Sequence, residues 1–563
     1  MSVSPGVGLL AAIALGLPML ILLARRRFPQ IVLWLRALTA SRQRGERAPD
    51  MARAAAYHSR LPDAANVATL DQRTWQDLDL DEVFCSLDRT ESEPGRQYLY
   101  HLLRTPLLSE EPLGRRERLL RSLSGDDGLA ARIQMPLRRL QNPRAGQLVH
   151  LILGDLPERP HYWVLFPILT VTSIASLVLF LTVWPPAFVV WLGVCFVNLW
   201  VHLCYRSRVK RLTPAIRELP AFIDAGRTLA ALDIPHAREE TVALREDANR
   251  LAGLRRAATW LIFEPGEGGE LAASMYEYIN LLFLLDVNAF VFAIEKLRTS
   301  QSAMQRLFEG IGYLDSMQSV SRWRSTLSSW TTPEFIPPEK ALHLEAIYHP
   351  LLSDAVPNSL ETEDASVLIT GSNMSGKSTF VRAIGVNAVF AQTLHTVCAA
   401  EWRAPMVQVR TSIGRTDSIT EGKSYYLAEV EAVAALVHAK ADGAQYLFLL
   451  DEIFRGTNTT ERVAASFAVL SYLNRGSDIV VVATHDIELI DLLGQRYGTR
   501  HFREELTDGH MTFDYRMHDG PSSTRNAIAL LDAVKLPADL VAEATATLDW
   551  QRRSVPKPAA PGE

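Results

Sequence analysis

The stretch Val367-Leu-Ile-Thr-Gly-Ser-Asn-Met-Ser-Gly-Lys-Ser-Thr379 decides how this 563-residue chain is read. A short apolar run, Val367 to Ile369, leads into Gly371-Ser-Asn-Met-Ser-Gly-Lys-Ser378, a full match to G-x-x-x-x-G-K-[ST]. A helix-compatible run, Phe380 to Phe390, follows. Strand, glycine-rich loop and helix in that order are the context the motif needs. Gly371 and Gly376 let the backbone turn tightly, so that successive N–H groups and the helix N-terminus converge on a phosphate. Lys377 supplies a point charge for the β- and γ-phosphates, and the Ser378 hydroxyl a ligand for Mg2+. A Gly/Ser loop can match this pattern by chance, so other parts of the chain have to agree.

Two later stretches do. Tyr446-Leu-Phe-Leu-Leu-Asp451-Glu452 is an apolar run ending in two carboxylates, as a buried parallel strand with acids at its C-terminal end reads. Asp451 is expected to hold Mg2+, directly or through water, and Glu452 to polarise an attacking water. Asp478-Ile-Val-Val-Val-Ala-Thr-His485 is a second such run. His485 at its end is a candidate sensor of the γ-phosphate. Alone, each would equally suit a strand with a charged loop or a surface histidine. In this order, the three elements indicate a nucleotide hydrolase.

The same segment resembles the ATPase domain of the MutS family, a branch of the ABC ATPases. The loop with Asn373-Met374 resembles that family's phosphate loop, and Ile413-Gly-Arg-Thr-Asp-Ser-Ile-Thr-Glu-Gly-Lys-Ser424-Tyr-Tyr-Leu-Ala-Glu429 its signature segment. Asp451-Glu-Ile-Phe-Arg-Gly-Thr457-Asn is similar to its Walker B and D-loop, and Thr484-His485 to its switch. Tyr348-His349-Pro350 with Val356-Pro-Asn358 is similar to the stretch before the family's phosphate loop. Tyr515 to Pro537 resembles its closing segment, with a final helix expected from about Ala538 to Trp550. The resemblance covers roughly Lys340 to Trp550. It implies an α/β ABC-type P-loop domain that binds ATP and Mg2+ and works as a homodimer. The implied nucleotide contacts are Gly371, Ser372, Asn373, Met374, Ser375, Gly376, Lys377, Ser378 and Thr379, with Ser424 closing over the γ-phosphate from the facing subunit. Ser378 and Asp451 would hold the metal, and Lys377, Glu452 and His485 would act in catalysis.

Composition sets the wider frame. Hydrophobic content of 48% and charged content of 21% suit a folded protein of several domains. A net charge of −5 does not advertise nucleic-acid binding, although a local basic face stays compatible with it. Cys85, Cys195, Cys204 and Cys398 lack metal-ligand spacing, so neither a zinc site nor a disulfide framework is expected.

Three uncharged runs stand out: Gly6 to Ala24, Trp163 to Val183, and Ala187 to Leu203, the last two separated by Trp184-Pro185-Pro186. Each is long enough to approach or span a bilayer. Arg25-Arg26-Arg27 follows the first, while Arg206, Arg208, Lys210 and Arg211 follow the third. Positive flanks on the inner side then predict an N-terminal anchor and a hairpin, with the rest of the chain cytoplasmic. A buried core helix or a cleaved signal is the competing reading of the first run.

The expected organisation is an anchor and juxtamembrane segment at 1–45, a helical MutS-core-like region at 46–158, a transmembrane hairpin at 159–205, a helical lever return at 206–338, and the ATPase domain with a C-terminal helical dimerisation segment at 339–563. Pro94-Gly95 reads as a helix break, and Glu264 to Glu270 as a glycine-rich loop. The family's mismatch-reading, connector, clamp and nuclease segments find no counterpart, so ATP hydrolysis and the dimer carry over better than mismatch recognition. The leading expectation is a multi-pass, membrane-anchored MutS-like ATPase that couples hydrolysis to DNA binding. The alternative is a membrane ATPase that remodels a protein or lipid partner without DNA. Three spans make too thin a pathway for a transporter.

Overall fold

The computed structural model describes residues 50–62, 68–261, 278–372, 374–414, 425–440, 444–507, 510–521 and 537–554. Its N-terminal part is helical. The first group comprises α1 (Gln72–Asp77), α2 (Leu80–Leu87), α3 (Glu93–Arg104), α4 (Glu110–Ser124) and α5 (Asp127–Leu137). Asp71, Ser92 and Asp126 begin α1, α3 and α5 by accepting the N–H of Thr74, Gly95 and Leu129, which satisfies donors that a helix leaves open at its start. The Pro94-Gly95 pair does not separate two helices; it lies in the first turn of α3. Proline is tolerated there because its missing N–H has no helical acceptor.

The two central apolar runs form α6 (Leu165–Thr182) and the first half of α7 (Ala187–Ala230). Leu165–Thr182 and Ala187–Ser207 are long and apolar enough to cross a membrane by length and composition. They turn large side chains such as Leu181, Val189 and Trp200 outward. Beyond the apolar run, α7 continues past Arg206 to Ala230 without interruption, so residue 205 marks a change of composition and not of structure. The run from Gly6 to Ala24, the third of the expected spans, lies outside the described residues, as does the loop at 264–270.

α8 (Arg238–Arg250), α9 (Ala252–Leu261) and α10 (Leu285–Arg324) follow in the helical part. The 40 residues of α10 extend roughly 60 Å at the helical rise. Leu307, Phe308, Ile311 and Leu314 on α10 are fully buried, and the helix packs on α3, α4 and α8. Asp315 accepts hydrogen bonds from the N–H groups of Glu91 and Ser92 and from Ser92 Oγ. This ties α10 to the start of α3, where only glycine fits: a Cβ at Gly95 would stand 2.1 Å from Asp315 Oδ2.

The C-terminal part is α/β. Its strands are β1 (Glu334–Ile336), β2 (Ala341–Ile347), β3 (Asn358–Glu363), β4 (Ser366–Thr370), β5 (Glu401–Pro405), β6 (Gln408–Ile413), β7 (Tyr446–Asp451), β8 (Ile479–Ala483), β9 (Tyr497–Thr507) and β10 (His510–Asp519). Its helices are α11 (Lys377–Leu394), α12 (Tyr425–Ala439), α13 (Thr459–Leu473), α14 (Glu488–Leu493) and α15 (Ala538–Ser554). The main sheet has the order β10-β9-β4-β8-β7-β6, parallel except for the β9–β10 pair. A smaller sheet has the order β1-β5-β2-β3.

Every residue of β4, β7 and β8 is buried, as continuous apolar runs demand when both faces are covered. Alternate residues serve the two faces. Val367, Ile369, Leu447, Leu449 and Val481 join the core that contains Val381 and Ile384 of α11, whereas Leu368, Phe448, Leu450, Val480 and Val482 join Val433 of α12 and Leu470 of α13.

Candidate nucleotide-binding site

Register places the sequence motifs on one edge. Ile413, Asp451, Ala483 and Ile369 form a single row across β6, β7, β8 and β4. The segments that leave these strands therefore emerge together at the carboxyl ends, where open α/β sheets bind ligands. The ladder goes one step further: Glu452 N–H donates to Ala483 O at 2.9 Å, and Thr484 N–H to Ile369 O at 2.9 Å.

The loop after β4 turns on Gly371 (φ +138°) and Gly376 (φ +109°). At Gly371 a Cβ would come within 2.5 Å of Phe502 O, so both conformation and space require glycine. Lys377 is buried and donates from Nζ to Gly371 O (2.7 Å) and Ser372 O (2.6 Å). Burial lowers its pKa below the ordinary lysine value, against the pull of Glu452 and Asp451. Ser375 Oγ donates back to Ser372 O at 2.9 Å, bracing the loop. Asn373 lies outside the described residues, as do residues 415–424 with Ser424, and 522–536 of the closing segment.

The two acids differ in surroundings. Glu452 is held between His485 Nε2, 2.6 Å from Oε1, and Arg455 Nε, 2.5 Å from Oε2. Burial would raise its pKa, but His485, Arg455 and Lys377 outweigh burial and keep it below the usual carboxylate value. Asp451 is buried, and its Oδ1 has no hydrogen-bond partner among the described residues. An orphaned carboxylate oxygen suits a cation. Asp451 and the Ser378 hydroxyl are hard oxygen donors of the kind Mg2+ takes alongside water and phosphate. His485 is flanked by Asp486, which Arg462 grips through both oxygens at 2.6 and 2.8 Å.

Strained backbone gathers here. Met374 (φ +71°), Glu452 (φ +51°), Phe454 (φ +61°) and Tyr515 (φ +53°) all adopt left-handed conformations that cost non-glycine residues energy. Arg455 escaped the sequence reading because a single arginine in a loop carries no periodic signal. Glu429 of α12 accepts the N–H of Gly456 at 3.3 Å, which links α12 to the loop beyond Glu452.

Beside the loop opens a cavity of about 580 Å3, lined by Tyr348, His349, Asn358, Phe380, Phe502 and Tyr515 together with Met374 and Gly376 to Thr379. Its volume suits a small-molecule ligand. Burial, aided by Arg382, pushes the His349 pKa down to about 4, so the ring is neutral at pH 7. His349 Nε2 is buried without a partner among the described residues. Asn358 joins the walls: its Nδ2 donates to Tyr515 O, and its Oδ1 accepts the N–H of Met517.

The helical part holds this domain near both ends of α11. Asp77 at the end of α1 accepts Thr411 Oγ1 (2.8 Å) and Ile413 N–H (2.9 Å), at the end of the strand that leads to residues 415–424. Arg382 of α11 donates to Asp77 O at 2.8 Å. At the other end of α11, Arg324 donates to Thr396 Oγ1 (2.9 Å), His395 O (2.9 Å) and Glu117 Oε2 (2.6 Å).

Comparison with known proteins agrees with the geometry. Residues 367–550 match the model of MutS domain V, a stretch that holds the main sheet from Val367 onward and begins after Tyr348, His349 and Asn358 of the cavity wall. The chain is similar to the DNA mismatch repair protein MutS of Thermus aquaticus, 35% identical over 211 residues, covering 37% of this chain and 26% of that protein. It is 29% identical over 283 residues to the protein of that name from Thermus thermophilus, covering 50% of this chain and 34% of the relative. The one from Geobacillus kaustophilus is 30% identical over 280 residues, covering 47% and 30%. The chain thus spans about a third or less of these relatives' length. The matches support kinship with the MutS family.

Proposed function

We propose that this protein is a membrane-anchored MutS-like ATPase, which binds and hydrolyses ATP in a facing dimer and couples the cycle to DNA binding. The observation that carries the reading is the single row of strand ends that brings together the phosphate loop, Asp451, Glu452 and His485.

Lys377 and the loop N–H groups would hold the β- and γ-phosphates. Ser378 and Asp451 would hold Mg2+, which when bound neutralises phosphate charge. Glu452, kept ionised, would orient and polarise water, with His485 fixing its carboxylate. Tyr348, His349 and Phe502 would enclose the base, because a neutral ring suits an aromatic ligand better than a phosphate. Ser424 would complete the site from the facing subunit. Closure of the dimer would pull on the Asp77 and Arg324 contacts and so move the helical part. The hairpin Leu165–Ser207, with its outward apolar side chains, would sit in the bilayer as part of a multi-pass arrangement, with the ATPase domain in the cytoplasm. Those exposed helices also favour the second reading, remodelling of a membrane partner without DNA.

A DNA titration of the detergent-purified chain, with and without ATP, separates the two readings. Binding through phosphate contacts has to weaken steeply with salt. Affinity that ignores both salt and ATP, or no binding at about 50 mM salt, rejects the coupling to DNA and leaves the second reading.

A further inference from the structure

Residues 278–292, which carry no long apolar run, pack as a third element against the hairpin. Residues 278–283 are helical, Leu284 turns left-handed (φ +50°), and α10 begins at Leu285. A break of this kind leaves backbone carbonyls without helical partners. Here they are satisfied by the apolar helices. Leu282 O accepts Asn198 Nδ2 at 2.6 Å and Ser173 Oγ at 3.1 Å, and Phe283 O accepts Thr170 Oγ1 at 2.7 Å. Asn288 Nδ2 donates in turn to Thr170 Oγ1 at 2.8 Å. Asn198 and Ser173 are fully buried near the middle of their helices.

Water would solvate a surface break without such donors. Within hydrocarbon, every freed carbonyl needs a protein partner, and broken helices persist only where they find one. The exposed side chains of this element are apolar: Tyr278 (71%), Ile279 (43%), Leu285 (38%) and Phe292 (53%).

Depth fits as well. Phe292 meets Trp163 edge-on (ring centroids 5.6 Å apart), and Arg159 lies 3.3 Å over the Trp163 ring, an aromatic–cationic pairing typical of a membrane interface. Ser173 lies eight residues into the unbroken α6 from Leu165, about 12 Å along the helix, close to half of a hydrocarbon core of roughly 30 Å.

We propose that residues 278–292 form a membrane-embedded, broken-helix element whose outer face, Tyr278, Ile279, Leu285 and Phe292, contacts lipid acyl chains, and whose break at Leu282–Leu284 lies near mid-bilayer on Asn198, Ser173 and Thr170. This rests on the membrane assignment of the hairpin. One helix, α10, then runs from inside the bilayer to the Arg324 contacts beside α11.

The test uses the full chain, with Cys85, Cys195, Cys204 and Cys398 replaced by alanine or serine, in phosphatidylcholine/phosphatidylglycerol nanodiscs. A nitroxide is placed in turn at Ile279, Leu285, Val190 (hairpin control) and Met135 (aqueous control). Collision with oxygen relative to a water-soluble nickel chelate reports lipid exposure. Ile279 and Leu285 are expected to match Val190, with nickel accessibility at least several-fold below Met135. If Val190 is lipid-exposed while Ile279 and Leu285 match Met135, the proposal is overturned and the hairpin assignment stands. If Val190 also matches Met135, the hairpin assignment falls and takes the proposal with it. Should the cysteine-free chain misfold, a diazirine-bearing phosphatidylcholine applied to the unaltered chain gives the same decision, by labelling or sparing residues 278–292 relative to the hairpin.

Discussion

Replacing Glu117 by glutamine removes one charge from the contact between the helical part and α11 while keeping shape and an acceptor. The Glu117 carboxylate is almost wholly buried and meets Arg324 Nη2 at 2.6 Å, Arg121 Nε at 2.8 Å and His395 Nδ1 at 3.6 Å. Burial alone would raise its pKa, yet the nearby His395, Arg324 with its hydrogen bond and charge, and Arg121 bring it down to about 2. A folded pKa depressed from 4.5 to about 2 means the unfolded chain binds the extra proton as pH falls. Stability from this group is therefore complete above pH 4.5 and is lost between there and about 2. Its size is about 3 kcal/mol, at 1.36 kcal/mol per pKa unit. Breaking a buried pair from one side costs about the same, roughly 3–5 kcal/mol.

Urea unfolding in detergent, recorded by tryptophan fluorescence, is the assay. Glu117→Gln is expected to be about 3 kcal/mol less stable than the parent at pH 7, with the gap about halved near pH 3. A gap below about 1 kcal/mol at pH 7, or one that stays constant across this range, refutes the reasoning. Adding Arg324→Met to Glu117→Gln should recover part of the loss, because no buried charge is then left unpaired.

Two other sites give measurable outcomes. Burial raises the Asp315 pKa from 3.8 to about 7 despite its hydrogen bonds, so the folded state binds the extra proton and stability falls as pH climbs between those values; the same urea assay should show a loss of about 4 kcal/mol that Asp315→Asn flattens. Subunits carrying Ser424→Ala and Lys377→Ala, each inactive alone, should regain part of their turnover on mixing, since half the composite sites of a mixed dimer are intact; proven subunit exchange without recovery contradicts the facing dimer.

The sequence made the phosphate loop, the β7 acids and His485 legible because each is a local pattern on a buried strand. Their convergence depends on register, and continuous apolar runs on β4, β7 and β8 announced parallel neighbours without giving their order. Arg455, 2.5 Å from Glu452, was not legible, since a loop arginine has no periodicity. Nor were the cavity walls, which Tyr348, Asn358, Phe502 and Tyr515 bring from separate elements. Pro94-Gly95 misled because the pair marks a helix start as readily as a break, and Gly95 answers to Asp315, far away in sequence. The element at 278–292 was hidden by Asn280, Asp286 and Asn288, polar residues that interrupt its apolar text. They are explained by the break they serve: Asn280 Oδ1 accepts the N–H of Asp286 at 2.8 Å, and Asn280 Nδ2 donates to its carboxylate at 2.6 Å.

The central claim is that this chain hydrolyses ATP with Glu452 as the group that activates water. Single-turnover hydrolysis of radiolabelled ATP by Glu452→Gln, with ATP binding measured in parallel, tests it most directly. Intact binding, trapped ATP and a rate lower by a factor of about 10^2–10^4, the usual contribution of a positioned base, are expected. Turnover equal to the parent, with ATP bound equally well, would contradict it.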